Sequence, residues 1–157
     1  MIETPQIVDV PMQLTATVRL TIPMSEIQTV MGPGIREIYA TLAEQGITAT
    51  GPWFTHHFQR PSYLFDFEIC VPVAQAIEAA GRVRPGELPA HKAARTVYAG
   101  PFEGLADAWG EFHTWIKNKG HTPAVDLWER YLLGPESSSN PADWRTELNR
   151  PLISEAA

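Results

Sequence analysis

The chain has one cysteine, Cys70, among its 157 residues. That excludes an internal disulfide and a cysteine-based metal site. Within a strand pattern, Cys70 reads as a small buried hydrophobe. No apolar run approaches the ~18 residues needed to span a bilayer. The opening MIETPQIVDVPMQ lacks the basic and apolar regions of a signal peptide, so no membrane contact and a cytoplasmic address are expected. Positive charge is scarce: 12 Lys and Arg against 18 Asp and Glu leave a net charge of −6. Direct binding to nucleic acid is therefore not expected. No serine or cysteine sits in a nucleophile motif, and no glycine-rich phosphate loop is present. His56 and His57 are adjacent, so in a strand they point to opposite faces. His113 and His121 do not have i, i+4 spacing. No metal and no cofactor are expected.

What is present is a chain able to build a real core, with 44% hydrophobic residues. Its 14 prolines and 11 glycines lie mostly between periodic stretches, which predicts short elements with sharp corners. Gln13 to Thr21 alternates as a strand. Ser25 is placed to cap a short helix over Glu26 to Met31. Gly32-Pro33-Gly34 should interrupt it, with a second helix restarting at Pro33 and ending at Gly46. Pro52 to Phe58 reads as a strand, Arg60-Pro61-Ser62 as a turn, and Tyr63 to Val71 as a further strand. A connecting segment follows, with a short strand near Gly81 to Arg84. His91 to Ala99 is again a strand. Phe102, Leu105, Trp109, Phe112 and Ile116 fall at helical spacing before Gly120. The strand Ala124 to Leu133, a polar loop over Gly134 to Ala142, a strand from Trp144 to Leu148 and a frayed tail close the chain.

The halves correspond. A shift of 74 positions carries Ile35, Ile38, Leu42 and Gly46 onto Trp109, Phe112, Ile116 and Gly120. A shift of 79 aligns FDFEICVPV at Phe65–Val73 with WRTELNRPL at Trp144–Leu152, and a shift of 78 carries Pro23 to Pro101. The expected fold is α+β: pseudo-repeats over 13–73 and 91–152, each strand, helix, strand, strand. They form one antiparallel sheet with both helices on one face, in one domain over 1–157.

Within Ala124–Leu133 the alternation puts Val125, Leu127, Glu129, Tyr131 and Leu133 on one face. Glu129 therefore stands in an apolar register, where a carboxylate is costly unless something pairs with it. A partner such as Arg95 or Arg145 would make it structural. A ligand would make it functional. The 74-residue shift sets Glu129 opposite Thr55, Tyr131 opposite His57 and Leu127 opposite Trp53. If the halves are related by a twofold axis, these six residues converge on a cleft between them. Tyr98 and Trp109 are candidates to line or close it. An aromatic wall with one carboxylate suits a bulky apolar ligand, especially a cationic one.

These stretches resemble a known family. LPAHKAARTVYAGPFEGL at Leu88–Leu105, the W-E-R-Y of Trp128–Tyr131, the closing WRTELNRPL, and IPMSEIQTVMGPGIREIYATLAEQG with FDFEICVPV in the first half are similar to the GyrI-like small-molecule-binding family. It comprises gyrase-inhibitor proteins and the effector-binding domains of AraC-type and BmrR-type multidrug regulators. The resemblance covers nearly the whole chain. It implies a cleft between the halves with Glu129 as polar anchor, facing lipophilic cations in multidrug-sensing members. It also implies two alternatives. Some stand-alone members resemble hydrolases that open strained cyclopropane-bearing toxins, which would make Glu129 and Tyr131 catalytic. Others bind a protein partner, as gyrase modulators do. No helix-turn-helix segment is evident, so a role in transcription regulation would need a separate DNA-binding protein. The leading expectation is a stand-alone small-molecule-binding domain for sensing or sequestration.

Overall fold

Alternation and helical periodicity decide the elements along most of the chain. The computed structural model describes residues 2–59, 64–135 and 137–153. The turn expected over Arg60, Pro61 and Ser62, the strand start at Tyr63, Glu136 of the polar loop and the tail from residue 154 lie outside them. The strands are β1 (Gln6–Val10), β2 (Gln13–Pro23), β3 (Phe54–His57), β4 (Leu64–Val73), β5 (Arg84–Leu88), β6 (His91–Ala99), β7 (Leu127–Leu133) and β8 (Arg145–Pro151). The helices are α1 (Ile27–Gln45) and α2 (Leu105–Asn118). The fold is α+β, and its strand ladders are antiparallel. Among the described residues no helix is long and apolar enough to cross a membrane.

The chain divides into two compact units, Met1–Val10 with His91–Ala157, and Pro11–Ala90. The first has strand order β1-β6-β8-β7 and helix α2; the second has β3-β4-β2-β5 and helix α1. Each is strand, helix, strand, strand, with one further strand added beside its first. In the second unit Ala16, Val18, Leu20, Phe67, Ile69, Val71 and Val73 bury against Ile38 and Leu42 of α1. In the first, Ala94, Leu127 and Leu148 bury against Trp109, Phe112 and Ile116 of α2.

The ladders carry the correspondence to single residues. Thr55 pairs with Ile69, and Ile69 with Val18. Glu129 pairs with Leu148, and Leu148 with Thr96. One step along, His57–Phe67–Leu20 matches Tyr131–Thr146–Tyr98. These are the shifts of 74, 79 and 78 seen in the sequence.

Several expectations are corrected. Gly32-Pro33-Gly34 does not break the first helix, because α1 is continuous with Pro33 inside it. An internal proline costs about 3 kcal/mol. Ile27, Val30, Met31 and Ile35 on both sides of it pack, with Ile38 and Leu42, on one core. Full burial of Ile38 and Leu42 alone contributes ~1.5–3 kcal/mol each, and the four partly buried side chains add to it, so the core term wins. At Gly34 a Cβ would come within 2.7 Å of Ile69 Cδ1, so the helix crosses the sheet closely enough there that a side chain would displace the end of Ile69. Ser25 does not cap: Met24–Glu26 is a 3-10 turn and Glu26 occupies the cap without a side-chain bond. The short strand expected at Gly81–Arg84 is a tight turn bridged by Ala80 and Val83, and β5 begins where it ends. β1 was unforeseen, since five residues between Pro5 and Pro11 are too few for a periodic signal. β7 starts at Leu127 rather than Ala124, leaving Val125 70% exposed. A register irregularity between Tyr131 and Leu133 ends the alternation there and turns Leu132 and Leu133 outward.

Candidate functional site

Glu129, Tyr131 and Leu127 share the face of β7 that looks toward α2. Leu127 and Leu148, the ladder partner of Glu129, pack into the α2 core. Glu129 is only 6% exposed. Its two carboxylate oxygens have different donors. The indole Nε1 of Trp109, one α2 turn before Phe112, donates to Oε2 at 2.7 Å. The Tyr131 hydroxyl, two residues along the strand, donates to Oε1 at 2.7 Å. Hydrogen bonds to an ionised group are the strong ones, and two of them fix the carboxylate's orientation. Both donors are neutral side chains.

Around this pair stands an aromatic wall. Trp109 lies tilted against Phe112, with ring centroids 5.7 Å apart. The edge of Phe102 meets Tyr131 at 5.9 Å, and Phe102 lies 4.8 Å from Trp144. Phe102 belongs to a 3-10 turn, Phe102–Gly104, ahead of α2, and is therefore 38% exposed rather than part of the buried stripe. Tyr98 anchors that turn. Its hydroxyl donates to the Pro101 carbonyl at 2.8 Å. A Cβ on Gly104 would overlap the Tyr98 hydroxyl, so only glycine allows the turn to close over the ring. Burial, then the charges of Glu103 and Asp107, raise the Tyr98 phenol above its ordinary value, so it stays a donor at neutral pH.

The arginines named as structural partners for Glu129 are engaged elsewhere. Arg95 Nε donates to Asn149 Oδ1 at 2.6 Å and lies 3.4 Å from Glu147. Arg95 and Asn149 are one register step away from Thr96 and Leu148, so they occupy the opposite sheet face. Arg145 Nη1 donates to the carbonyls of Ala142 and Trp144.

Of the residues expected to line a site, Glu129, Tyr131 and Trp109 are thus bonded together, and Leu127 shares their face. Tyr98 lies two strands away in the Thr146 row with its hydroxyl committed to the turn. Trp53, Thr55 and His57 belong to the other unit. Trp53 packs on that unit's core. Thr55 Oγ1 is 3.3 Å from His57 Nε2, and His57 stacks on Phe67 at 5.1 Å. His56 faces the other way, 3.4 Å from Glu68. Sequence reasoning missed Phe102, Trp144 and Thr146. The alternation of W-R-T-E-L does put Thr146 on the face of Leu148, and that signal was readable.

Residues 3–152 match the family model described as a GyrI-like small molecule binding domain. No curated protein matches the chain. Among solved structures, the EcmrR C-terminal domain superposes with TM-score 0.86 at 22% identity, covering 97% of this chain and 98% of that one. In the EcmrR–DNA complex, this chain spans 58% of the EcmrR chain. SAV2435 bound to tetraphenylphosphonium superposes with TM-score 0.63 at 12% identity, covering 97% and 95%. A hydrolase from Listeria innocua superposes with TM-score 0.67 at 15% identity, covering 95% and 91%. At these identities the likeness shows a shared fold.

Proposed function

Because the chain belongs to the family of GyrI-like small molecule binding domains, we propose that it binds a largely apolar molecule carrying positive charge, with Glu129 as the polar anchor. One observation carries the reading: a buried carboxylate, oriented by Trp109 and Tyr131 and set among aromatic rings. Aromatic faces attract cations, and a carboxylate in a low-dielectric setting does so more strongly than in water. The bound tetraphenylphosphonium of SAV2435 is a molecule of this class on the same fold. The role assigned is sensing or sequestration.

A second reading rests on the Tyr131–Glu129 hydrogen bond, which is a donor and an acceptor already in contact. Such a pair suits general acid–base work on a strained electrophile, with Glu129 activating water and Tyr131 supplying a proton.

A thermal-shift screen of lipophilic cations and strained electrophiles, run on wild type and Glu129→Gln together, separates the readings. A ligand at 100 times its Kd should raise the melting temperature by roughly 5–10 °C. The expected result is cation hits that vanish in the variant and are recovered unchanged by mass spectrometry. Chemically altered hits would select the hydrolase. A panel with no hits, or hits indifferent to the variant, would overturn the anchor and leave a protein-interaction module.

A further inference from the structure

Thr146 is fully buried in β8, yet its hydroxyl has no hydrogen-bond partner among the described residues. Buried hydroxyls are normally satisfied, and one left over is destabilising. Packing does not demand a threonine here, because the matching position of the other unit holds Phe67, equally buried between His57 and Leu20. On either side of Thr146 stand Tyr131 and Tyr98, whose hydroxyls go to Glu129 and to the Pro101 carbonyl. Glu129 is the diagonal neighbour of Thr146 on the same face. Such neighbours lie within about 8 Å of each other, so one small group between them can touch both. On its outer side, Tyr131 is half-buried, and the ring against it, Phe102, is exposed.

We propose that Thr146 is a ligand-binding residue of the Glu129 site, and that its hydroxyl accepts a hydrogen bond from the N–H of a protonated amine whose charge rests on Glu129. The inference deepens the cation-binding reading and depends on it. The Tyr131 hydroxyl holds the Glu129 oxygen that the amine takes. On binding, Tyr131 turns aside, and the amine N–H groups go to Glu129 and to Thr146 Oγ1. A quaternary onium ion has no N–H. It satisfies the charge of Glu129 and leaves Thr146 as it was. The site therefore discriminates protonated amines from their quaternary counterparts.

The test is calorimetric titration of 2-(diphenylmethoxy)ethylamine, a primary amine protonated at neutral pH, and of its N,N,N-trimethyl quaternary salt. Both go into wild type, Thr146→Val and Glu129→Gln. Wild type should prefer the amine about tenfold or more over the salt, the scale of a hydrogen bond to a charged donor. Thr146→Val should cut that preference about tenfold, the share of one hydrogen bond to a charged donor, and leave the salt's affinity unchanged, while Glu129→Gln weakens both. Without ligand, Thr146→Val should melt at or above wild type, since it removes a polar atom that has no partner. A wild type without preference, a preference undiminished in Thr146→Val, or a variant that melts lower would each overturn the role of Thr146 alone. If neither compound binds wild type and tetraphenylphosphonium does not bind either, the anchor reading itself fails and this inference goes with it.

Discussion

At one place in a repeated frame, the chain puts Thr55 in one unit and Glu129 in the other. The positions around them differ in the same direction. Val18, Leu20, Phe67 and Ile35 in the second unit become Thr96, Tyr98, Thr146 and Trp109 in the first. Each change adds a hydrogen-bonding group while keeping the strand register and the helix above it. Even the bond along the corresponding strands β3 and β7 is repeated, Thr55 to His57 in one unit and Tyr131 to Glu129 in the other. On the opposite face both units keep a glutamate, Glu68 and Glu147, each against a basic side chain. The difference teaches where chemistry enters this fold. One unit spends its helix-facing sheet on packing. The other gives up apolar contacts there to hold an oriented charge.

The sharpest way to break the comparison is to move the charge. Thr55→Glu would put a carboxylate in the unit where Ile35 replaces Trp109 and offers no N–H, with the His57 ring beside it. An incompletely compensated buried charge costs up to roughly 3–5 kcal/mol, so the variant should unfold at clearly lower denaturant. If it is as stable as wild type, the donors around Glu129 are not what lets that position carry a charge. Removing a donor should cost less. Trp109→Phe keeps a ring and deletes the N–H given to Oε2, for an expected loss of about 1–3 kcal/mol. In a Glu129→Leu background the loss should largely disappear, and a double-mutant cycle measures this directly. Equal costs in both backgrounds would make Trp109 merely a packing residue.

The smallest effect belongs to Cys70, which matches Asn149 in the other unit. Burial first, then the charge and hydrogen bond of Glu68, raise its thiol well above the ordinary value. The folded value lies above the unfolded one, near 8.5. The associated stability is therefore complete below that pH and is lost as pH rises toward the folded value. At pH 8 a thiol reagent should label Cys70 only as fast as the protein opens. Prompt labelling of the native protein would show that this face is less sealed than it looks.

Much of this frame was legible. Alternation read the face of Glu129, Tyr131 and Leu127 correctly, and the spacing of Trp109, Phe112 and Ile116 read the buried side of α2. The 74-residue shift already set Glu129 against Thr55. What escaped were features that depend on long-range packing. Pro33 reads as a break unless the shared core of α1 is known. Trp109 as donor to Glu129 joins residues twenty positions apart, which no periodicity reports. Phe102 fits the helical stripe by spacing and leaves it because Tyr98 and Gly104 hold a tighter turn. Arg95 and Arg145 were plausible partners by charge alone, and their observed partners lie elsewhere.

The most direct test of the account is the affinity of tetraphenylphosphonium for wild type and Glu129→Gln, measured by calorimetry under one buffer and salt. The account predicts saturable binding by wild type and at least a tenfold loss in the variant, with the variant's melting temperature close to wild type. Equal affinity in the two proteins would contradict it, because the carboxylate would then contribute nothing that the aromatic wall does not already supply.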